Sequence, residues 1–258
     1  MAVQSFAGKV SIFEDFTGYT ASTAIADATA GTRWNDLTLV AISGQTDVIT
    51  SVAEANGVLE LTGAGGAADG LAILGNPMRA DRCGTIAVEA RFKSSLMTTD
   101  TRIFIGFQET ISYTETVNPF TLSGTTLTAN AAGEVVGFYF DAQATTDDFR
   151  FMSGTGGVAD TTALVQVGDK VKGLTGQSTT TLGALGVRAG ITATNSSWYI
   201  ARVEVDPDGT ARGYLGHTTH AYPLGLNLIA TLKAGTVGVT ALLVPHLHLA
   251  CHTTGDPT

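Results

Sequence analysis

Apolar and polar side chains alternate along this chain with the two-residue period of β-strands, and hardly anywhere with the period of a helix. In TIAVEARFK, Thr85 to Lys93, Ile86, Val88, Ala90 and Phe92 fall on one face, with Thr85, Glu89, Arg91 and Lys93 on the other. In RIFIGFQ, Arg102 to Gln108, Ile103, Ile105 and Phe107 oppose a face carrying Arg102 and Gln108. EVVGFYFD, Glu134 to Asp141, is aromatic and β-branched throughout, as suits the interior of a sandwich. WYIARVEV, Trp198 to Val205, alternates again, with Tyr199, Ala201, Val203 and Val205 on one side and Arg202 and Glu204 on the other. Further strands are predicted at 58–62, 71–74, 187–192, 228–233 and 237–244. Asp206-Pro207-Asp208-Gly209 then supplies a hairpin turn, with Pro to preset one dihedral and Gly to take a positive one. The Ala-rich stretch Thr20 to Ala30 has Thr residues and no apolar stripe, and is predicted as loop. Many short strands separated by turns predict an all-β, antiparallel two-sheet sandwich. No linker-like block or fixed-period repeat divides it, so one domain is expected over 1–258, with 1–20 an amino-terminal arm or first strand.

Composition narrows the function. Hydrophobic residues make up 44% of the 258 residues, enough for a large core, while charged residues are only 14%, so the surface must consist largely of Thr, Ser, Asn, Gln and Gly. Such a surface suits burial against partner subunits or binding of neutral ligands such as glycans. A net charge of −9 disfavours nucleic acid and anionic membranes as partners. No signal-peptide core and no apolar run of membrane-spanning length is visible, so synthesis in a cytoplasm is expected. Cys83 and Cys251, far apart in sequence, are expected as buried thiols, with one long-range disulfide as the alternative.

Four stretches carry a family resemblance: IFEDFTG near the start, the Trp-led strand, GEVVGFYFDAQATTDDFRFM, and WYIARVEVDPDGTARGYLGH. Together they resemble concanavalin A-like jelly-roll proteins encoded in bacteriophage structural gene clusters, over the first twenty residues and from about Gly84 onward. The resemblance implies a virion component, most specifically a head decoration or cement protein whose partners are a major capsid protein and copies of itself. The apolar, Pro- and Gly-punctuated loop AYPLGLNL is the expected contact surface, through Tyr222, Leu224 and Leu226. The alternative is a lectin-like carbohydrate-binding module on a head fibre or tail, stacking sugars on exposed aromatics such as Trp34, Trp198 or Tyr222.

Catalysis is not expected. Glycoside hydrolases of this fold share a strand motif E-x-D-x-x-E; Glu204-Val205-Asp206 begins it, but Gly209 stands where the second Glu should be. There is no nucleophile elbow. Gly65-Gly66 and Gly156-Gly157 end in no phosphate-binding pattern and are expected to make turns or close packing. His217, His220, His246, His248 and His252 cluster toward the end of the chain. If PHLHLACH is a strand, His246, His248 and His252 share a face, and alternate histidines can share zinc. A polar face toward solvent or a subunit is the expectation. Calcium held by Asp147, Asp148 or Asp160 would need a loop signature that is missing. No cofactor or metal is therefore expected. Asn195-Ser196-Ser197 is expected as a turn.

Overall fold

The computed structural model describes residues 37–41, 70–109, 111, 118–121, 127–130, 132–144, 148–161, 186–217 and 226–250 in full, and elsewhere the course of strand backbone alone. Every strand pairing is antiparallel, and two large sheets account for most of them. The larger, nine-stranded sheet runs Val158–Ala159, Asp148–Thr155, Val135–Asp141, Thr101–Gln108, Val244–Cys251, Gly70–Leu74, Leu37–Ile42, Thr32–Trp34, with Val187–Thr192 also paired to Asp148–Thr155. The second, six-stranded sheet runs Ser178–Thr181, Leu164–Val167, Asn227–Leu232, Ala211–His217, Tyr199–Val205, Ile86–Phe92. Small sheets pair Ala2–Phe6 with Lys9–Phe13, Phe120–Ser123 with Thr126–Ala129, and Asp47–Val52 with both Thr23–Ile25 and Val58–Thr62. The fold is the expected antiparallel two-sheet sandwich.

The predicted alternation decides how the sheets meet. Ile103, Ile105, Phe107, Val136, Phe138, Phe140, Phe149 and Phe151 of the larger sheet pack in one cluster against Tyr199, Ala201, Val203, Val205, Leu215 and Leu232 of the second. At Gly213 a Cβ would sit 2.5 Å from the Phe151 ring of the facing sheet, so only glycine lets that ring fill the gap.

The central strands of the larger sheet are buried on their other face as well. Phe104, Val135, Tyr139 and Met152 point away from the second sheet and are covered by Phe120, Leu127 and Ala129 of the 120–129 hairpin. Burial on both faces is the physical reason why EVVGFYFD shows no alternation. Gly106 and Gly137 lie opposite one another and leave room for the Phe104 ring, which a Cβ at either position would strike.

Two expectations of secondary structure change, and one short helix is added. Val237 to Val244 is not a strand: residues 234–243 form a turn-rich connection held by Val237 N–H to Gly209 O (3.3 Å) and by a Met78–Leu243 bridge. The strand begins at Val244 and runs through PHLHLAC, because register with Thr101–Gln108 starts there. Thr23–Ile25, inside the stretch predicted as loop, is a short strand paired with Asp47–Val52, a partner that local composition does not reveal. The four-residue helix Ala80–Cys83 is too short to leave a helical period. Two of the predicted turns are present here. Gly209 takes φ +80° and its N–H bonds Asp206 O at 3.0 Å. Gly156 and Gly157, both at positive φ, make the two-residue turn between Asp148–Thr155 and Val158–Ala159.

Candidate functional site

The outer face of the second sheet carries the side chains left free of the core. Tyr199, Ala201, Val203 and Val205 point inward, so Ile200, Arg202 and Glu204 point out; across the ladder they stand beside Glu89 and Arg91 on one side and Arg212 and Tyr214 on the other. Arg202 is the centre of a charge ladder, donating to Glu204 Oε1 at 2.7 Å and Glu89 Oε2 at 3.2 Å. Arg212 pairs with Asp206 and approaches Glu204 Oε2 at 3.8 Å, and the Tyr214 hydroxyl donates to Glu204 Oε2 at 3.3 Å. Burial, followed by the Glu204 charge, raises the Tyr214 hydroxyl above its ordinary pKa.

At one end of this face lies Trp198, immediately before strand Tyr199–Val205 and half-buried. The Arg91 guanidinium carbon is 4.3 Å and Lys93 Nζ 4.8 Å from its ring centroid. Among the described residues Phe92, Trp198 and Tyr214 are the aromatics not fully buried. Phe92 faces inward against Phe149 and Tyr199, which leaves Trp198 and Tyr214 as the outward rings. Tyr214 is opposite Arg202, four residues along the ladder from Trp198, which corresponds to roughly 13 Å of strand. Arg91, Lys93 and Tyr214 had no functional reading from the sequence. Only the register between three strands brings them beside Trp198.

The carboxylates of the incomplete hydrolase motif belong to this ladder. Glu204 is shared among Arg202, Arg212 and Tyr214, while Asp206 accepts from Thr85 Oγ1 at 2.8 Å and from Arg212. This arrangement ties down a hairpin and differs from two carboxyls facing each other across a cleft.

The histidines depart from the solvent-facing expectation. His246 and His248 do share a face, the one turned away from the second sheet, but both are completely buried. His246 Nδ1 donates to Gln108 Oε1 at 3.0 Å, and its ring packs edge-on to Phe104. Among the described residues, His246 Nε2 and both nitrogens of His248 have no hydrogen-bond partner. Burial lowers the pKa of His246 to about 3; burial, then the neighbouring His246 and Arg102, lowers that of His248 well below its ordinary value. The face is covered because Phe104, Ala72, Leu74 and Val244 surround it with apolar side chains. His217 is also buried, its ring 4.5 Å from Tyr199, while His220 and His252 lie outside the described residues. Among the described residues no three or more His, Cys, Asp or Glu side chains gather as a metal site.

Asp148 is buried and bound within the protein: it accepts from Arg188 Nε at 3.0 Å and from the N–H groups of Gly190 (3.2 Å) and Ile191 (3.3 Å). Its role is to join two strands where their register shifts. Asp160 donates its backbone N–H to Ser153 O, and Asp147 lies outside the described residues. Cys83 is exposed and free, contrary to the buried thiol expected, because it ends the short surface helix; the side chain of Cys251 lies outside the described residues. Asn195 and Ser196 form the expected turn, with Asn195 Oδ1 accepting from Thr98 N–H at 2.9 Å. Of the predicted contact loop, Leu226 is half-buried just before strand Asn227–Leu232, and Tyr222 and Leu224 lie outside the described residues, as do Gly65-Gly66 and the side chain of Trp34.

No family model and no curated protein matches the chain. Solved structures similar to it include peanut lectin with a nine-residue peptide (11% identity, 92% of each chain, TM-score 0.49) and the potassium-bound carbohydrate recognition domain of Emp46p (8%, 91% of each chain, 0.47). A lectin from Bauhinia forficata in complex with GalNAc is also similar (12%, 92% of this chain and 93% of the lectin, 0.38). No residue role passes from them to this chain at such identities.

Proposed function

We propose that this chain is a non-catalytic carbohydrate-binding sandwich domain that presents the outer face of its second sheet to an oligosaccharide. The observation that carries this reading is the pair of outward rings, Trp198 and Tyr214, on one rigid antiparallel ladder. Aromatic faces are the apolar surfaces on which the C–H faces of sugars stack, and a ladder held by ion pairs fixes their spacing before the ligand arrives. The carboxylates on the face are engaged with arginines, which supports binding without hydrolysis.

The test is a glycan array followed by calorimetry on the full chain. Saturable binding is expected, with Trp198→Ala weakening it on the order of tenfold and Tyr214→Ala by a smaller factor. Absence of binding across neutral and acidic glycans would remove the reading. Binding unchanged in Trp198→Ala would move the site elsewhere.

A further inference from the structure

Arg91 differs from six other arginines in how its charge is used. Arg79, Arg82, Arg102, Arg188, Arg202 and Arg212 each lie in an ion pair with a carboxylate of the chain. Arg91 forms no such pair among the described residues, although the chain holds 23 Asp and Glu against 14 Lys and Arg. It is exposed, its guanidinium carbon lies over the Trp198 ring, and Lys93 lies over the same ring. A guanidinium held over an aromatic ring keeps N–H donors with which to grip a carboxylate or sulfate. An indole that restrains the guanidinium also lowers the entropy lost when an anion binds.

Resting on the carbohydrate reading above, we infer that the Trp198 site takes an acidic saccharide, whose anionic group is held by Arg91, with Lys93 beside it, while its ring packs against the exposed part of the indole. The negative charge of the rest of the molecule makes this cationic corner the favourable place on the face for an anion. The attraction is short-ranged and screened by salt. Glu89 and the remaining ladder carboxylates set the other boundary, since an anion placed over them would be repelled.

Binding of an oligogalacturonate, its methyl-esterified counterpart of equal length and a sulfated galactan oligomer to the full chain separates the possibilities, because esterification removes the charge and keeps the shape. The acidic form is expected to bind about tenfold more tightly at low salt, with the gap closing as salt rises. Arg91→Gln should reduce the acidic form to the level of the ester; Lys93→Gln should do so in part, and Trp198→Ala should weaken both. Both charge variants replace exposed side chains, and unchanged thermal unfolding would verify their fold. Tight binding of the sulfated oligomer that Arg91→Gln abolishes would support the same site with sulfate as the anion. Equal binding of acid and ester overturns the inference while leaving the carbohydrate reading intact, as does an acid preference that survives in Arg91→Gln. Competition by free inorganic sulfate as strong as by the oligomers would reduce the site to a bare anion site and overturn it. If no saccharide binds, both readings fall.

Discussion

At the scale of single residues, the buried histidines and the glycine between the sheets have the largest predicted effects. His246 and His248 are neutral when folded and stay so far below the ordinary histidine pKa of 6.5, whereas in the unfolded chain they protonate near it. The unfolded state therefore binds more protons as pH falls below about 6.5, and stability is lost as pH falls from there, for His246 down toward pH 3, by up to about 1.4 kcal/mol per pH unit for each histidine that stays neutral. His248→Leu removes one such proton and two unpartnered nitrogens at once. Urea unfolding at several pH values between 7 and 4.5 should show a shallower acid decline than in the parent, with stability at pH 7 unchanged or higher. An identical decline would mean that His248 does not stay neutral in the fold. Gly213→Ala places a methyl against Phe151. Its expected cost is about 1–3 kcal/mol, read as a lower urea midpoint at unchanged slope, and Phe151→Leu in the same chain should recover part of it.

At the scale of elements, two connections hold the ladders in register. Gly209 combines φ +80° with a Cβ position 2.5 Å from Val237 O, so Gly209→Ala meets both backbone strain and a clash with the 234–243 connection. A loss of about 1–3 kcal/mol in unfolding free energy is expected, larger than for Gly156→Ala, which has positive φ but open space around it. Asp148 joins Asp148–Thr155 to Val187–Thr192 through Arg188 and two backbone N–H groups. Asp148→Ala leaves those donors unmet and Arg150 beside Arg188 without the intervening charge; burial, then Arg188, already lowers the Arg150 pKa. About 2–4 kcal/mol should be lost, with faster hydrogen exchange in Val187–Thr192 before the rest of the sheet. Uniform exchange across both sheets would show that Asp148 is not what joins them.

At the scale of the molecule, the cohesion of the sandwich lies in apolar burial between the sheets and beneath the 120–129 hairpin. A chelator should accordingly leave the melting temperature of the purified chain where it was, and moderate salt should shift it little. A marked fall with chelator would point to a metal contributing to the fold.

The two-residue period was legible for TIAVEARFK and WYIARVEV because each has one face in the core and one outside, and their inward residues are those expected; in RIFIGFQ the inward residues are also those expected, but the other face is covered as well. The Asp206–Gly209 turn was legible for an equally local reason, the dihedral demands of Pro and Gly. EVVGFYFD was legible as a strand but not as a layer, since a run buried on both faces does not say what covers each. The candidate site was legible only as Trp198. That Arg91 and Lys93 stack on its ring, and that Tyr214 shares its face, depend on the pairing of Tyr199–Val205 with strands more than a hundred residues upstream and just downstream. The same holds for the histidines. Their alternation was determined by the sequence, but burial, and with it their lost basicity, was decided by which side chains the tertiary structure folds over that face, because solvation belongs to the packed assembly and not to the strand.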